Sequence, residues 1–283
     1  MSKRRQYIKR IFIGVLLIII FVVAFNFIHK YRFTKKIKDY EKNNPPMISW
    51  IDDDGYYSFY TKMYPLALKY EIPMASAIIA GRDHENNPRY YNIQQAKEMQ
   101  ANGIEILNHG YLHSLDLKPG QMSSVELEED YRKSIEFAEE HGFLSNIHVY
   151  PFGDIGGEVA NKSPINFDYA FAYKSNSGPV TKPFDRYAIN RIYTDDYSSL
   201  ENIPLDEIYS QLDRAANNSS WIIVTSHIDQ TGKFSEEYYS SIIKYAKDKG
   251  FDFVSIEEGY ERYKQFEMDW FIKFKRNIKA KIF

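Results

Sequence analysis

The sequence contains no cysteine among its 283 residues. A chain without thiols forms neither a disulfide framework nor a thiolate metal site, so any metal would be held by histidine and carboxylate side chains. A glycine-rich phosphate loop, the usual mark of a nucleotide-binding doubly wound sheet, is also missing. No internal repeat or low-complexity tract is present, and the length accommodates one large domain or two ordinary ones.

Acidic residues are missing from both ends of the chain. The first 38 residues contain ten Lys or Arg, the last twelve contain five, and neither segment has an Asp or Glu. The rest has 21 basic and 38 acidic side chains, a net charge of −17. Because nucleic acids bind basic surfaces, we expect no nucleic acid partner. The basic tail, residues 268–283, is expected to be a frayed terminus, with a contact to anionic lipid or wall polymer as the alternative.

A long apolar run lies near the amino terminus. Between Ile11 and Ile28 only Asn26 is clearly polar, and a helix of this length spans ~27 Å, about the thickness of the hydrocarbon core of a bilayer. We predict one transmembrane anchor over residues 11–28; a cleaved signal peptide and a buried core helix are the alternatives. Basic residues flank both ends, so the positive-inside rule does not decide the orientation.

The anchor divides the chain. Residues 1–10 are predicted to be a basic cytoplasmic segment, residues 29–46 a linker that ends in Pro45 and Pro46, and residues 47–267 one catalytic-type domain. In that domain short apolar runs alternate with helical patterns, which predicts an irregular (β/α) barrel of seven or eight strands, with a doubly wound open sheet as the alternative. The predicted strands are Met47–Ile51, Pro73–Ala80, Gly103–Leu107, Ile147–Tyr150, Tyr169–Tyr173, Tyr187–Tyr193, Trp221–Ser226 and Phe251–Ile256. The predicted helices are Phe59–Tyr70, Tyr91–Ala101, Ser123–Glu140, Pro204–Ala216 and Glu236–Lys249.

Chemically distinctive residues follow the carboxyl ends of these strands. In a (β/α) barrel the strand ends and their loops form one rim, where active sites lie. We therefore expect these residues to meet in one site. They are Asp52-Asp53-Asp54-Gly55 after the first strand, His109 to His113 after the third, Tyr150-Pro151-Phe152-Gly153 after the fourth and His227 after the seventh.

The residue types suggest metal-assisted hydrolysis. His109 and His113 are spaced to share one face of a helical turn and grip a metal, although two half-buried histidines without a metal are the alternative. Asp53 and Asp54, taken alone, fit a turn or helix cap before Gly55. Together, two imidazoles and one carboxylate make an open three-ligand set. A second carboxylate could take a proton from water, and His227, on the far side, could donate one to a leaving group.

Four ordered motifs carry a resemblance to a known family. They are Asp53-Asp54-Gly55, His109-Gly110-Tyr111-Leu112-His113, Tyr150-Pro151-Phe152-Gly153 and Val224-Thr225-Ser226-His227. The sequence from Met47 to Tyr263 resembles the polysaccharide deacetylase family, which is carbohydrate esterase family 4 with its NodB-type homology domain. The resemblance implies that Asp53 is the general base, that Asp54, His109 and His113 are metal ligands, and that His227 is the general acid. It also implies that the backbone N–H near Phe152, in the loop of Tyr150, Pro151 and Phe152, joins the metal in binding the oxyanion.

Three positions depart from the family pattern. Gly110 stands where the family often has Ser or Thr, so a hydroxyl that braces the loop is missing. Val149 stands where an Arg usually orients the base. Arg191, at the end of the sixth strand, is predicted to supply that guanidinium; a surface ion pair is the alternative. Asp52 is a third consecutive acid, and strand alternation points Asp52 and Asp54 to the same side, so an exchange of roles between Asp52 and Asp53 stays open.

The resemblance implies a metal-dependent hydrolase that removes N-acetyl groups from amino sugars of a cell-surface polysaccharide, such as peptidoglycan, an exopolysaccharide or a secondary wall polymer. Such polymers lie outside the cell, so we expect a single-pass protein of the cell membrane with an extracellular catalytic domain. One divalent metal is expected, zinc first, with cobalt or manganese as alternatives. No protein partner is inferred. A catalytically inactive, membrane-tethered glycan-binding barrel is the alternative function, and a metal peptidase is a second rival, although Gly110 replaces the Glu of zinc-peptidase motifs.

Other residues carry weaker expectations. His84, in a polar loop, is expected to be solvated, His141 to end a helix and His148 to pack within a strand. Four aromatic residues are candidates for stacking on sugar rings: Tyr56, Tyr57, Tyr111 and Trp221.

Overall fold

The computed structural model describes residues 3–172, 178–196, 201–228 and 234–268. The end of the predicted strand at Tyr173 and most of the basic tail, from Asp269 on, lie outside the described residues. The chain divides into two compact units, Met1–Asn44 and Pro45–Phe283.

The first unit is one long helix, α1 (Lys3–Asn43). Its most apolar window has a mean hydropathy of 2.7 and none of it is buried, so by length and composition the helix is able to cross a membrane. A signal sequence near the amino terminus passes the same test. Residues 29–43, expected as a linker, continue the helix because they contain neither Gly nor Pro and include several good helix formers.

The second unit is built on a parallel sheet that nearly closes into a barrel. Eight strands follow one another in the order β6-β5-β4-β3-β2-β1-β10-β7, and β11 pairs with β1 beside this path. Strands β6 and β7 are separated only by Arg191, so the same stretch of chain forms both edges of the sheet. The predicted (β/α) barrel is confirmed. The strands are β1 (Met47–Asp52), β2 (Met74–Ile78), β3 (Ile104–Asn108), β4 (Leu144–Val149), β5 (Tyr169–Ala172), β6 (Ile189–Asn190), β7 (Ile192–Tyr193), the hairpin β8 (Asp195–Asp196) and β9 (Glu201–Asn202), β10 (Trp221–Ser226) and β11 (Asp252–Phe253).

Helices cover the outside of the barrel. All five predicted helices are present, and two short ones were missed. The first begins as a π-helix, Phe59–Met63, and continues as α2 (Tyr64–Tyr70). The others are α3 (Ile93–Ala101), α4 (Ser124–His141), α5 (Val159–Asn166), α6 (Leu205–Asn217), α7 (Glu236–Asp248) and α8 (Ile256–Tyr263). The missed helices are α5, which has Pro164 in its interior, and α8; each has only eight residues, too few for a clear apolar period.

Strands β1, β2, β5 and β10 are buried along their whole length, as expected for parallel strands between a barrel interior and helices. Ile48 and Trp50 of β1 pack with apolar residues of α2, α6 and α7. Trp221 is fully buried and its indole N–H donates to Ser49 Oγ, so this residue is not a sugar platform. The parallel pairing brings the carboxyl ends of β1, β3, β4 and β10 to one rim, and the register between β3 and β4 shifts at Leu107 and Asn108.

Candidate functional site

Three side chains from two strand ends converge on one point at this rim. Asp54 follows β1, and His109 and His113 follow β3. One ligand atom from each lies within 4.8 Å of the others. Asp54 Oδ1 is 3.4 Å from His109 Nε2 and 3.2 Å from His113 Nε2. Ligands at ~2.0 to 2.1 Å from a tetrahedral zinc ion would be about 3.3 Å apart, so the two distances suit such a site.

The protonation of these ligands also suits a metal. The Nδ1 of His109 lies 2.7 Å from the carbonyl oxygen of Val149. Because that oxygen only accepts, Nδ1–H donates to it, and Nε2 is the ring nitrogen that faces Asp54. Burial, followed by the neighbouring His109, lowers the pKa of His113 to about 4, so its imidazole is neutral at pH 7. The buried Asp-His-His triad therefore fits a divalent metal.

The turn between the two histidines is not helical, so that expectation was wrong. Gly110 has φ +75° and His113 has φ +41°, both in the left-handed region. A Cβ at position 110 would lie 3.1 Å from Pro151 Cγ and 3.2 Å from Asp130 Oδ2. The turn thus requires glycine for both its φ angle and its space.

We expect Gly110→Ala to distort this turn. A non-glycine residue at positive φ costs about 1–2 kcal/mol, and the added methyl group would also push against Pro151 and Asp130. The melting temperature should fall, and zinc affinity should fall with it. Gly142→Ala provides a matched control, because Gly142 also has a positive φ but a Cβ there meets nothing within 4 Å. An unchanged zinc affinity in Gly110→Ala would show that the turn tolerates the methyl group.

The candidate base is paired with a buried arginine. Arg191 Nη1 donates to both carboxylate oxygens of Asp53, at 2.8 and 2.9 Å, and Arg191 is fully buried. Burial acts to raise the pKa of Asp53, but the charge of Arg191, with smaller contributions from His109 and His227, holds it well below its usual range. Arg191 therefore holds the Asp53 carboxylate, and because its side chain is buried the surface ion-pair alternative is wrong.

The backbone at Asp54 separates the three consecutive acids. Asp54 has φ +78°, so strand alternation stops at Asp53, and Asp53 and Asp54 both line the cavity at the rim. Asp52 is instead fully buried, and its Oδ2 accepts a hydrogen bond from Ser226 Oγ at 2.7 Å. Burial raises the pKa of Asp52 well above its usual value. The geometry favours Asp53 over Asp52 for a role at the cavity.

The candidate acid has a carboxylate partner that sequence reasoning missed. Asp195 Oδ2 lies 3.0 Å from His227 Nδ1, and Asp195 Oδ1 accepts from the backbone N–H of His227. Burial acts to lower the pKa of His227, but the hydrogen bonds to Asp195 and Asp53 raise it well above its usual value. The Nε2 of His227 is 3.5 Å from Asp53 Oδ2, so the two adjoin each other, closer than the far-side placement expected from the sequence.

In the loop after β4, one side chain lines the cavity and two are buried in the core. Phe152, at φ +59°, lines the cavity, and its ring lies against that of His113 with centroids 4.5 Å apart. Pro151 is buried beside Gly110. The Tyr150 side chain is also buried, and its hydroxyl donates to the carbonyl of Tyr187, so its side chain does not line the cavity.

These groups surround a cavity of about 550 Å³. One wall carries the triad with Leu115, Lys118 and Phe152, and the facing wall comes from β7, the β8–β9 hairpin and α6. The residues of that wall are Ile192, Tyr193, Asp195, Asp196, Ile203, Glu207, Ile208 and Gln211. Much of this wall was absent from the sequence prediction, since its residues belong to no recognised motif.

The other histidines of the second unit do not line the cavity. His84 is buried rather than solvated, because its ring nitrogens lie 3.1 Å from the carbonyl of Tyr91 and 2.9 Å from that of Ile79. His141 ends α4, and His148 is buried in β4 with its ring stacked on Phe167, as predicted. Among the remaining sugar-platform candidates, Tyr56 is buried and Tyr57 is 41% exposed.

Comparisons with known proteins agree with this geometry. Residues 40–164 match the family model described as polysaccharide deacetylase. No curated protein matches the sequence significantly. The fold is similar to that of a chitin deacetylase from the fungal pathogen Colletotrichum lindemuthianum, with a TM-score of 0.58 and 17% identity over 77% of this chain and 88% of that chain. It is also similar to the peptidoglycan deacetylase PdaC from Bacillus subtilis, with a TM-score of 0.53 and 18% identity over 84% of this chain and 96% of that chain.

A third solved structure is also similar in fold. It is a mutant of BA3943, a pseudoenzyme of carbohydrate esterase family 4, with restored enzymatic activity; its TM-score is 0.52, with 17% identity over 76% of this chain and 67% of that chain. At these identities the likeness to solved structures establishes the fold. Residues 40–164 thus match the polysaccharide deacetylase family, and the eight-stranded barrel that contains them has the fold of the deacetylases of carbohydrate esterase family 4.

Proposed function

We propose that this chain is a metal-dependent hydrolase that removes N-acetyl groups from amino sugars of a cell-surface polysaccharide. One observation carries the proposal. The Asp54, His109 and His113 triad, the Arg191-paired Asp53 and the Asp195-paired His227 all face one cavity of about 550 Å³. This is the arrangement that hydrolysis of an unactivated amide requires: an electrophile site, a base and an acid within reach of one bond.

The reaction divides between the metal site and the two proton-transfer residues. A divalent ion held by Asp54, His109 and His113, with zinc proposed, would polarise the acetamide carbonyl and acidify the attacking water. Asp53, held ionised and in place by Arg191, accepts the proton from that water. His227 holds one proton on Nδ1 against Asp195 and donates the other, on Nε2, to the departing amine nitrogen. The products are acetate and a free amino sugar.

The loop after β4 has a supporting role in the proposal. The backbone N–H of Phe152 is a candidate oxyanion donor, and the Phe152 ring closes the cavity over His113. The Lys118 ammonium lies over the Phe152 ring, 5.3 Å from its centroid, which is a cation–π contact.

The proposed location follows from the substrate. Acetylated polysaccharides of this kind lie outside the cell, and α1 is apolar enough over its first part to anchor the chain in the cell membrane. We propose a single-pass protein with its amino terminus in the cytoplasm and the barrel outside. Proteolysis of intact cells tests this: the barrel should be cleaved from outside, and full protection would contradict the orientation.

Acetate release from N-acetylglucosamine oligomers, with and without a chelator, tests the function. We expect release that the chelator abolishes and that added zinc restores, with cobalt and manganese compared in parallel. Binding of the same oligomers without acetate release, and of peptidoglycan and exopolysaccharide fragments as well, would support an inactive glycan-binding barrel. BA3943, which is similar in fold, is described as a pseudoenzyme. Cleavage of peptides alone would support a peptidase instead.

The pKa of His227 predicts how activity depends on pH. Since this pKa is raised well above 6.5, His227 stays protonated through neutral pH, and kcat/KM should fall only as an alkaline pH removes the proton. The stability that the raised pKa of His227 contributes has the same sign: it is fully present below about pH 6.5 and is lost as pH rises through the folded pKa.

In Asp195→Asn the alkaline fall in kcat/KM should move to lower pH by about 1–3 units. Asp206→Asn, an exposed carboxylate on α6, is the charge-matched control. If the alkaline fall in kcat/KM occurred at the same pH in Asp195→Asn as in the parent, its cause would not be deprotonation of His227.

A further inference from the structure

Partners outside the His109–His113 turn hold its backbone from two sides. On one side, the carbonyl oxygens of Gly110 and Tyr111 accept from the N–H groups of Ala80 and Gly81, at 3.0 and 3.1 Å. Arg82, from the same loop after β2, donates through Nη2 to the carbonyl of His113 at 3.0 Å. The carbonyl groups of the turn are thus tied to the loop that follows the neighbouring strand.

On the other side, the N–H groups of the turn point to side chains. Asp130, on α4, accepts from the N–H of Leu112 through Oδ1 at 2.7 Å and from that of Tyr111 through Oδ2 at 3.2 Å. Asn108 Oδ1 accepts from the N–H of Gly110 at 2.9 Å. Asp130 is only 8% exposed, so water competes little for its two charge-assisted hydrogen bonds.

The carboxylate of Asp130 lies beside the position where the family often has a hydroxyl. A Cβ at position 110 would sit 3.2 Å from Asp130 Oδ2. A side chain at 110 and the carboxylate at 130 therefore compete for the same space. Glycine at position 110 therefore leaves room for the Asp130 carboxylate.

The backbone conformation of the turn determines the positions of the His109 and His113 imidazoles. Their positions depend on a backbone with positive φ at Gly110 and His113, and the left-handed conformation costs a non-glycine residue about 1–2 kcal/mol. A conformation of this kind persists only where its surroundings fix it. We propose that Asp130 is a positioning residue that sets the affinity of the site for its divalent metal by fixing the backbone between His109 and His113. Asp130 does not line the cavity, and the inference rests on the proposed function.

Zinc binding to full-length Asp130→Asn tests the inference. The amide keeps the shape and one acceptor oxygen but turns an NH₂ group toward one backbone N–H. We expect zinc affinity, measured by competition with a chromophoric chelator, to fall about 10- to 100-fold, as when other groups that orient metal ligands are removed. The visible spectrum of the cobalt-loaded protein should change, and kcat at saturating metal should stay close to the parent value. Glu140→Gln, an exposed acid on the same helix, should leave zinc affinity unchanged.

Two results would overturn the inference. One is an unchanged zinc affinity in Asp130→Asn accompanied by a lower melting temperature of the metal-free protein, since Asp130 would then only stabilise the fold. The other is a loss of kcat that saturating metal does not restore. If Asp130→Asn does not fold, Asp130→Ser, which keeps one short acceptor, gives the same readout. A parent chain that binds no divalent metal would instead contradict the proposed function.

Discussion

Asp53→Asn is expected to lower kcat for acetate release by about 10²- to 10⁴-fold, the usual contribution of a general base. The variant keeps the size of the side chain and an acceptor for Arg191, but its amide cannot take a proton from water. Zinc affinity should remain near the parent value, because Asp53 is not one of the three converging ligand groups. Single-turnover acetate release, with zinc content measured on the same samples, separates the two effects.

Asp52→Asn is the matched control for this experiment. Asp52 is the preceding residue and equally buried, and burial raises its pKa well above its usual value. An amide keeps the shape of this side chain, and Asp52 does not line the cavity. Activity should therefore change little, and the hydrogen bond from Ser226 should be kept. If Asp52→Asn abolished release and Asp53→Asn did not, the two acids would have exchanged roles and the proposed base would be Asp52.

Arg191→Met is expected to destabilise the barrel by about 3–5 kcal/mol, as when one partner is removed from a buried ion pair. The carboxylate of Asp53 would remain buried without the guanidinium that donates to both of its oxygens. Its pKa should rise, because burial then acts without the opposing charge of Arg191. Urea unfolding of the variant and the parent, in the same metal-free buffer, measures the loss.

Two further variants identify the cause of that loss. Asp53→Asn in the Arg191→Met background should recover much of the stability, because no charge is then left buried without its partner. Arg186→Met removes an arginine whose side chain is 38% exposed and paired with Glu267, and it should cost only about 0–1 kcal/mol. Equal losses in the two arginine variants would mean that the Arg191–Asp53 pair contributes no more than a surface ion pair.

The barrel and the three converging side chains could be predicted because both depend on patterns of residues that are close in sequence. Alternating apolar and amphipathic segments predict parallel strands with helices, and that connectivity brings strand ends to a common rim. Asp54, His109 and His113 directly follow predicted strands, so their convergence followed from the fold class. Local patterns gave a wrong prediction for His84. It lies in a polar stretch of sequence, yet its ring is buried with both nitrogens near carbonyl oxygens.

The sequence by itself thus determined the fold class, the resemblance to the polysaccharide deacetylase family and the residues that converge on the proposed metal site. Only the tertiary structure decided how these residues are held. Arg191 reaches Asp53 across 138 residues because the chain around it forms both edges of the sheet, and Asp195 reaches His227 through a short hairpin that no motif marks. The His109–His113 turn is non-helical because α4 and the loop after β2 bind its peptide groups. Each of these contacts joins segments that are distant in sequence, so no local pattern of residues specifies it.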